Sequence, residues 1–193
     1  MADKIYLIRH GETEWTISGQ HTGTTDVPLT EKGKEDAMKL KKELQDISFQ
    51  LVLSSPMQRA FNTCELAGFA KQTQLDPDLL EWNYGEYEGL TTKQIWKNDP
   101  HWEIFTSGAP GGESIADVGA RATHILAKLK SVHGTVAVFS HGHFLRALAA
   151  RWLGLPTNEG RLFDLHPASI SILGLEHQHH VISQWNDTSY LKY

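Results

Sequence analysis

Short apolar runs alternate along the chain with stretches in which apolar residues recur at helical spacing. The runs at 4–8, 51–55 and 135–140 are rich in strand-forming residues, which predicts three buried strands. A helical stretch follows each of these runs, and another begins after Ser114. Strands and helices that alternate in this way predict an α/β fold with a largely parallel sheet.

Capping residues indicate where the helices begin. Thr30 is predicted to cap a helix that runs to about Asp46. Pro56 suits the first turn of the helix after the second strand. Ser114, with Asp117 three residues later, has the spacing of a capping box.

Two regions do not follow this alternation. Residues 76–112 contain five glycines and many aromatic residues, so we expect a looser segment there. Residues 169–176 and 179–185 are typical of two strands joined by a turn.

Composition narrows the classes of protein and partner. A length of 193 residues with 40% hydrophobic content suits one domain over 1–193. The formal charge of -5 argues against general attraction to nucleic acid or to an acidic membrane. No stretch approaches the roughly 18 apolar residues of a membrane helix, and the first apolar run is too short for a secretory signal. We therefore expect a cytoplasmic protein without a membrane partner.

The first predicted strand ends at Arg9, His10 and Gly11. In open α/β sheets, ligands bind at the carboxyl ends of the strands. An imidazole attacks phosphorus only when it is neutral, and a neighbouring guanidinium lowers its basicity and donates to phosphoryl oxygens. Taken alone, an Arg-His pair is more often an ordinary surface pair.

Two other strand ends carry residues of the same chemical type. Arg59 falls in the first turn after the second strand, where a cation strengthens an anion site at the helix N-terminus. His141 and Gly142 follow the third strand. Taken singly, Arg59 is typical of an ordinary surface side chain and His141 of a hydrogen-bonded residue at a helix start. Their equivalent positions at strand ends favour a shared anion site.

Five motifs occur in order along most of the chain. They are R-H-G-E-T-x-W from Arg9, G-x-x-D-x-P-L-T at 23–30, S-S-P-x-x-R-A at 54–60, E-x-x-x-G-x-x-E-G at 81–89 and S-H-G at 140–142. This series closely resembles the histidine phosphatase (phosphoglycerate-mutase-like) superfamily. The resemblance implies a three-layer α/β/α sandwich with a mostly parallel central sheet. It also implies chemistry that uses no metal or other cofactor.

The resemblance also implies roles for individual residues. His10 would be the phosphorylated nucleophile, and Arg9, Arg59 and His141 would form the phosphate pocket. Glu81 would protonate the leaving oxygen, which burial beside aromatic neighbours would assist by favouring the neutral carboxyl. The expected partner is a small phosphate ester.

One departure from the common family pattern concerns the substrate. Thr16 stands where the family usually has a phosphate-contacting Asn, and its hydroxyl would be a shorter donor. Residues 14–23 resemble the sugar-bisphosphatase branch, whose fungal members hydrolyse sedoheptulose 1,7-bisphosphate. This resemblance favours a phosphorylated sugar, with the predicted contacts Thr16, Gln20, Thr22, Gly23 and Gly142.

Several alternatives stay open at this point. A mutase would need a longer insertion than the 22 residues between Gly89 and Gly112, so hydrolysis is favoured. A non-catalytic phospho-ligand module would normally have lost one of the key residues, and all are present. The eleven histidines show no recognised metal-ligand spacing. The role of His143 and the formation of a homo-oligomer are not determined by the sequence.

Overall fold

A six-stranded sheet runs through the computed structural model, which describes residues 2–192. In chain order, the strands are β1 (Ala2–Arg9), β2 (Phe49–Ser54), β3 (Thr73–Leu75), β4 (Gly134–Ser140), β5 (Ile170–Glu176) and β6 (His179–Asp187). Their spatial order is β3-β2-β4-β1-β5-β6. The first four strands of that order pair in parallel, whereas β5 pairs antiparallel with both β1 and β6. The predicted α/β fold with a mostly parallel sheet is confirmed.

Seven α-helices connect the strands within the described residues. They are α1 (Glu14–Ser18), α2 (Glu31–Leu44), α3 (Gln58–Leu66), α4 (Thr92–Ile95), α5 (Ile104–Ser107), α6 (Ile115–Ser131) and α7 (Gly142–Trp152). None of the helices in 2–192 is long and apolar enough to cross a bilayer.

Alternate residues of the central strands pack against helices on opposite faces of the sheet. Val136 and Val138 of β4 belong to a core with α6 and α7, which includes Leu145. Ala137 and Phe139 belong to a second core with α2 and α3. Because successive strand residues point to opposite faces, this division produces the predicted layers of helix, sheet and helix.

The capping predictions were right for two helices and wrong for a third. The Thr30 hydroxyl caps α2, and Ser114 and Asp117 form a capping box at the start of α6. Pro56 lies outside α3, which begins at Gln58. The backbone N–H of Gln58 donates to the Asp26 carboxylate at 2.9 Å, so a distant part of the chain caps this helix.

Candidate active site

The carboxyl ends of three parallel strands bring the predicted site together. Arg9 at the end of β1 pairs in register with Ser140 at the end of β4. The next residues, His10 and His141, have ring centroids 5.2 Å apart. Ser55, directly after β2, is held by a hydrogen bond from its backbone nitrogen to the carbonyl oxygen of Phe139 at 2.9 Å.

The His10 ring is buried and held by one hydrogen bond. Its Nδ1 lies 2.7 Å from the carbonyl oxygen of Gly11. A carbonyl can only accept, so Nδ1 carries the proton and Nε2 keeps its lone pair. Burial, followed by the charges of Arg59 and Arg9, holds the pKa of His10 well below its usual value of 6.5. The ring is therefore neutral, and its free lone pair is on Nε2.

Arg9 contributes a cation with an unused donor. Its Nη1 donates to the carbonyl of Leu165, whereas its buried Nε has no hydrogen-bond partner among the described residues. A Cβ at position 142 would lie 3.2 Å from that Nε, so Gly142 gives the guanidinium room. A buried donor without an acceptor is unfavourable, so this nitrogen adds to the free-energy cost of burying the Arg9 side chain.

Arg59 and His141 are joined by a hydrogen bond. Nε of Arg59 donates to Nδ1 of His141 at 3.2 Å, and Nε2 of His141 then donates to the Ser55 hydroxyl at 2.8 Å. The guanidinium also donates to three backbone carbonyls, those of Thr22, Gly23 and Thr25. Both side chains are fully buried, so their geometry is fixed by the protein itself.

The carboxylate of Glu81 meets the N-terminus of α7. Oε2 accepts the backbone N–H of His143 at 3.0 Å, and Oε1 accepts that of Phe144 at 2.8 Å. Oε1 also accepts the N–H of Trp82 at 2.9 Å. Glu81 is 8% exposed, so it is nearly buried, as the sequence suggests, but backbone N–H groups rather than aromatic rings orient it.

A cavity of about 190 Å³ opens between these groups, and we call it the inner cavity. Arg9, His10, Glu81 and Gly142 line it, whereas Arg59 and His141 do not. A neutral imidazole, one guanidinium and a carboxylate therefore share one small polar space. Within residues 2–192, no group of three or more His, Cys, Asp or Glu side chains is placed to hold a metal ion.

Comparison with known proteins agrees with this geometry. The family model "Histidine phosphatase superfamily (branch 1)" matches residues 5–188. The chain belongs to this superfamily. The relatives that the chain matches include phosphatases and a phosphoglycerate mutase.

Two relatives of known sequence cover most of the enzyme. An acid phosphatase from Mycobacterium tuberculosis is 42% identical over 178 residues, which cover 90% of this chain and 87% of the relative. Sedoheptulose 1,7-bisphosphatase from Saccharomyces cerevisiae is 32% identical over 187 residues, which cover 80% of this chain and 69% of the relative.

A solved structure supports the fold independently. The product of an open reading frame of Mycobacterium tuberculosis superposes with a TM-score of 0.90 at 39% identity. The match covers 95% of this chain and 97% of the other. The enzyme therefore has the phosphoglycerate-mutase-like fold that the motifs imply.

Most of the predicted substrate contacts line the inner cavity, but one of them does not. Thr16, Gln20 and Thr22 line the inner cavity. The Thr16 hydroxyl donates to the carbonyl of Thr13 at 2.8 Å, so its one proton is already used and only a lone pair is left for a ligand. Gln20 donates to the Gly89 carbonyl at 2.8 Å through one of its two amide protons, which leaves the second.

Gly23 lies outside the inner cavity. Its N–H donates to both carboxylate oxygens of Glu88, at 2.9 and 3.0 Å, and its carbonyl accepts from Arg59. A Cβ there would lie 2.5 Å from the carbonyl oxygen of Trp82. The structure therefore places Gly23 where two chain segments meet closely, and its backbone holds Arg59.

Four titratable residues at the site were missed or left undecided by the sequence reasoning. His21, Tyr84, His143 and Arg146 all line the inner cavity. His143 and Arg146 are three residues apart on α7, a spacing that puts both on one helix face. That spacing is the sequence signal that could have placed His143 and Arg146 at the same site. No comparable pattern marks His21 or Tyr84.

A second cavity of about 400 Å³, which we call the outer cavity, adjoins the first. His21, His143 and Arg146 line both cavities. The aromatic residues Trp102 and Phe105 belong to the outer cavity alone. Its volume is within the range of sites that bind small organic molecules.

Proposed function

We propose that this enzyme hydrolyses the monoester of a phosphorylated sugar through a phosphohistidine at Nε2 of His10. The observation that carries the proposal is the hydrogen bond between Nδ1 of His10 and the Gly11 carbonyl. It leaves the lone pair on Nε2, the nitrogen that must attack phosphorus. The depressed pKa of His10 keeps that lone pair free at neutral pH.

The reaction has two displacements at phosphorus. In the first, which Glu81 enters in its protonated form, Nε2 of His10 forms a bond to phosphorus, the ester P–O bond breaks, and Glu81 gives its proton to the leaving oxygen. In the second, Glu81 takes a proton from water, whose oxygen attacks phosphorus, and the P–N bond breaks. Inorganic phosphate leaves, and both residues return to their initial state.

Positive charge supports both transition states. The Arg9 guanidinium lines the inner cavity, where its charge is suited to a phosphoryl oxygen. Arg59 and His141 form a hydrogen-bonded pair beside His10, where the Arg59 charge helps to keep that ring neutral. Charge that is fixed in advance around a phosphoryl group stabilises it without reorganisation during the reaction.

Two observations favour hydrolysis of a sugar phosphate over mutase activity. Lys93 and Lys97, the basic residues between Gly89 and Gly112 apart from a histidine, are exposed and line neither cavity. That segment therefore provides no lysine to retain a phosphorylated intermediate at the site. The relative named sedoheptulose 1,7-bisphosphatase supports a sugar as the leaving group.

The test is phosphate release from sugar mono- and bisphosphates, 3-phosphoglycerate and p-nitrophenyl phosphate, measured in EDTA. Wild type is compared with His10→Ala and with His133→Ala, which alters an exposed histidine away from the site. We expect wild-type and His133→Ala activity to be equal and His10→Ala to be inactive. An acid-labile phosphoenzyme should form only when His10 is present.

Two results would overturn the proposal. Wild-type turnover in His10→Ala would exclude His10 as the nucleophile. Phosphate release from none of these substrates would favour the mutase or the binding module. Assays for the interconversion of phosphoglycerates and for ligand binding would then distinguish these two alternatives.

A further inference from the structure

An ion pair between Arg121 of α6 and Glu113 contacts the chain segment that carries Glu81. Nε of Arg121 donates to Oε1 of Glu113 at 2.7 Å, and Nη2 donates to Oε2 at 2.9 Å. Nη1 donates to the carbonyls of Asp78 and Leu80, both at 2.8 Å, and Nη2 reaches the Glu81 carbonyl at 3.4 Å. These bonds engage all five N–H groups of the guanidinium. Arg121 therefore holds the backbone that leads into Glu81.

Glu113 holds the chain on the other side of Glu81. Its Oε2 accepts the backbone N–H of Asn83 at 2.9 Å, and its carbonyl accepts Nε1–H of Trp82 at 2.8 Å. The side chains of the ion pair are largely buried, with 15% of Arg121 and 21% of Glu113 exposed. A two-bond pair that is shielded from water holds its geometry better than a pair at the surface. Glu81 is therefore anchored along the chain in both directions.

The same guanidinium contacts the helix that receives the Glu81 carboxylate. Cζ of Arg121 lies 4.7 Å from the centroid of the Phe144 ring on α7. The backbone N–H of Phe144 is one of those that donate to the Glu81 carboxylate, at 2.8 Å. One side chain therefore links the segment that carries the carboxylate to the helix that carries its amide donors.

The ion pair lies outside the inner cavity, which neither Arg121 nor Glu113 lines. Both residues line a third cavity of about 240 Å³, and Glu81 lines it as well. Because side chains do not fill this space, packing alone does not fix the segment around Glu81 on this side. An acid must lie within hydrogen-bond reach of the oxygen that it protonates, so a small displacement of Glu81 is enough to slow that step.

We propose that Arg121 and Glu113 are positioning residues that hold Glu81 where it protonates the leaving oxygen. They act through the backbone of residues 78–83 and through α7, and they line no part of the cavity in which phosphorus reacts. The inference rests on the proposed function, which makes Glu81 the acid. Loss of the pair should therefore slow the release of a leaving group that needs a proton more than that of one that does not.

The experiment compares benzyl phosphate with p-nitrophenyl phosphate, two esters of similar size. The benzyl oxygen leaves as an alkoxide, as a sugar oxygen does, unless an acid protonates it. The nitro group stabilises the other leaving group as a phenolate, which departs without a proton. The value of kcat/KM is measured because it covers the steps up to release of the leaving group and excludes hydrolysis of the phosphoenzyme.

Five variants are compared with wild type. They are Glu81→Gln as the benchmark for loss of the acid, Arg121→Met, Arg121→Lys, Glu113→Gln and the control Lys128→Met. Lys128 also lies on α6 and pairs with Asp76 at 2.9 Å, but it makes no hydrogen bond to residues 78–83. The control therefore removes a cation from the same helix and leaves the contacts of Glu81 in place.

We expect Glu81→Gln to lower kcat/KM about 1,000-fold for benzyl phosphate and less than about tenfold for p-nitrophenyl phosphate. Arg121→Met should show the same selectivity at a smaller scale, with losses of about 30-fold and less than about threefold. Arg121→Lys should recover part of the loss, because lysine keeps the charge without the planar fork. Glu113→Gln should cause a smaller selective loss, and Lys128→Met should match wild type.

Equal losses for the two esters in Arg121→Met, or no loss for either, would overturn the inference, because general damage to the site lowers both values alike. Melting temperatures identify a variant that does not fold. If Arg121→Met unfolds, Arg121→Lys and Glu113→Gln decide, and unselective losses in both would overturn the inference. Failure of the proposed function looks different. Wild type would then release no His10-dependent phosphate from either ester, or Glu81→Gln would itself show no selectivity.

Discussion

The hydroxyl of Tyr84 lies 2.5 Å from Nδ1 of His143, deep in the wall of the inner cavity. Burial, with the charge of Glu81 as a smaller cause, raises the pKa of Tyr84 well above its usual value of 10. Burial likewise lowers the pKa of His143 well below 6.5. The neutral phenol therefore donates to the neutral ring, and Nε2 of His143 carries a proton for a ligand.

Removal of this hydroxyl should reduce stability. Tyr84→Phe leaves Nδ1 of His143 without a donor in a partly buried setting, so we expect the free energy of unfolding to fall by about 1 kcal/mol. Tyr6→Phe is the matched control, because its hydroxyl makes no hydrogen bond within residues 2–192 and its ring keeps the contact with Phe49. Urea unfolding measures both. Equal effects of the two substitutions would contradict the expectation.

Arg59 should be important for stability as well as for turnover. The sequence alone predicts that Arg59→Ala lowers turnover with the fold intact. In the structure, the guanidinium holds the carbonyls of Thr22, Gly23 and Thr25, and all three lose a donor in this variant. We therefore expect a loss of about 3 kcal/mol or more in unfolding free energy, in addition to lost activity.

Arg59→Lys provides the comparison for that prediction. Lysine keeps the charge but cannot reproduce the planar fork that reaches several carbonyls and His141. Its unfolding free energy should lie between those of wild type and Arg59→Ala. A fully stable Arg59→Ala protein would show that the carbonyls find water or other donors.

The acid titration of His10 should be displaced below its usual range. Its lowered pKa means that the ring gains a proton only when the pH falls well below 6.5. An NMR titration of the histidine ring resonances, with His10→Gln to identify the signal, measures this midpoint without a substrate. In Arg9→Gln the midpoint should rise, because the Arg9 charge is one of its causes. A wild-type midpoint at or above 6.5 would contradict the nucleophile geometry.

Stability should decrease as the pH falls from 7 to 5. Burial lowers the pKa of His21 to about 4. Below pH 6.5 the unfolded chain therefore binds a proton at this residue that the folded chain does not, which favours unfolding. This single group is worth about 2 kcal/mol over that interval. His10, His141 and His143 act in the same direction.

The His21→Gln variant isolates the contribution of His21 to the pH dependence of stability. Glutamine can still reach the Thr92 hydroxyl, 3.1 Å from the His21 ring nitrogen, but it does not titrate. The decrease in unfolding free energy between pH 7 and pH 5 should be about 2 kcal/mol smaller in the variant than in wild type. Identical decreases would show that His21 titrates alike in both states.

The features predicted from the sequence are those that local pattern determines. Ser114 and Asp117 cap α6 because both partners lie within one helical turn. The buried strands were recognised from their apolar runs, and parallel pairing then places their ends at one edge of the sheet. This is why the sequence alone predicts that the residues around His10 and His141 lie close together.

The features that were missed depend on contacts between distant segments. Strand β3 has the polar sequence Thr-Gln-Leu and is recognisable only through its pairing with β2. Asp26 caps α3 from more than thirty positions away along the chain. Glu81 meets the start of α7 across a separation of 62 residues from His143. No local periodicity encodes contacts of this kind.

Helix α7 begins with Gly142 beside the Arg9 guanidinium and reaches Arg146 one turn later. Residues of this one helix thus line both the inner and the outer cavity. A displacement of α7 therefore changes the shape of both cavities together.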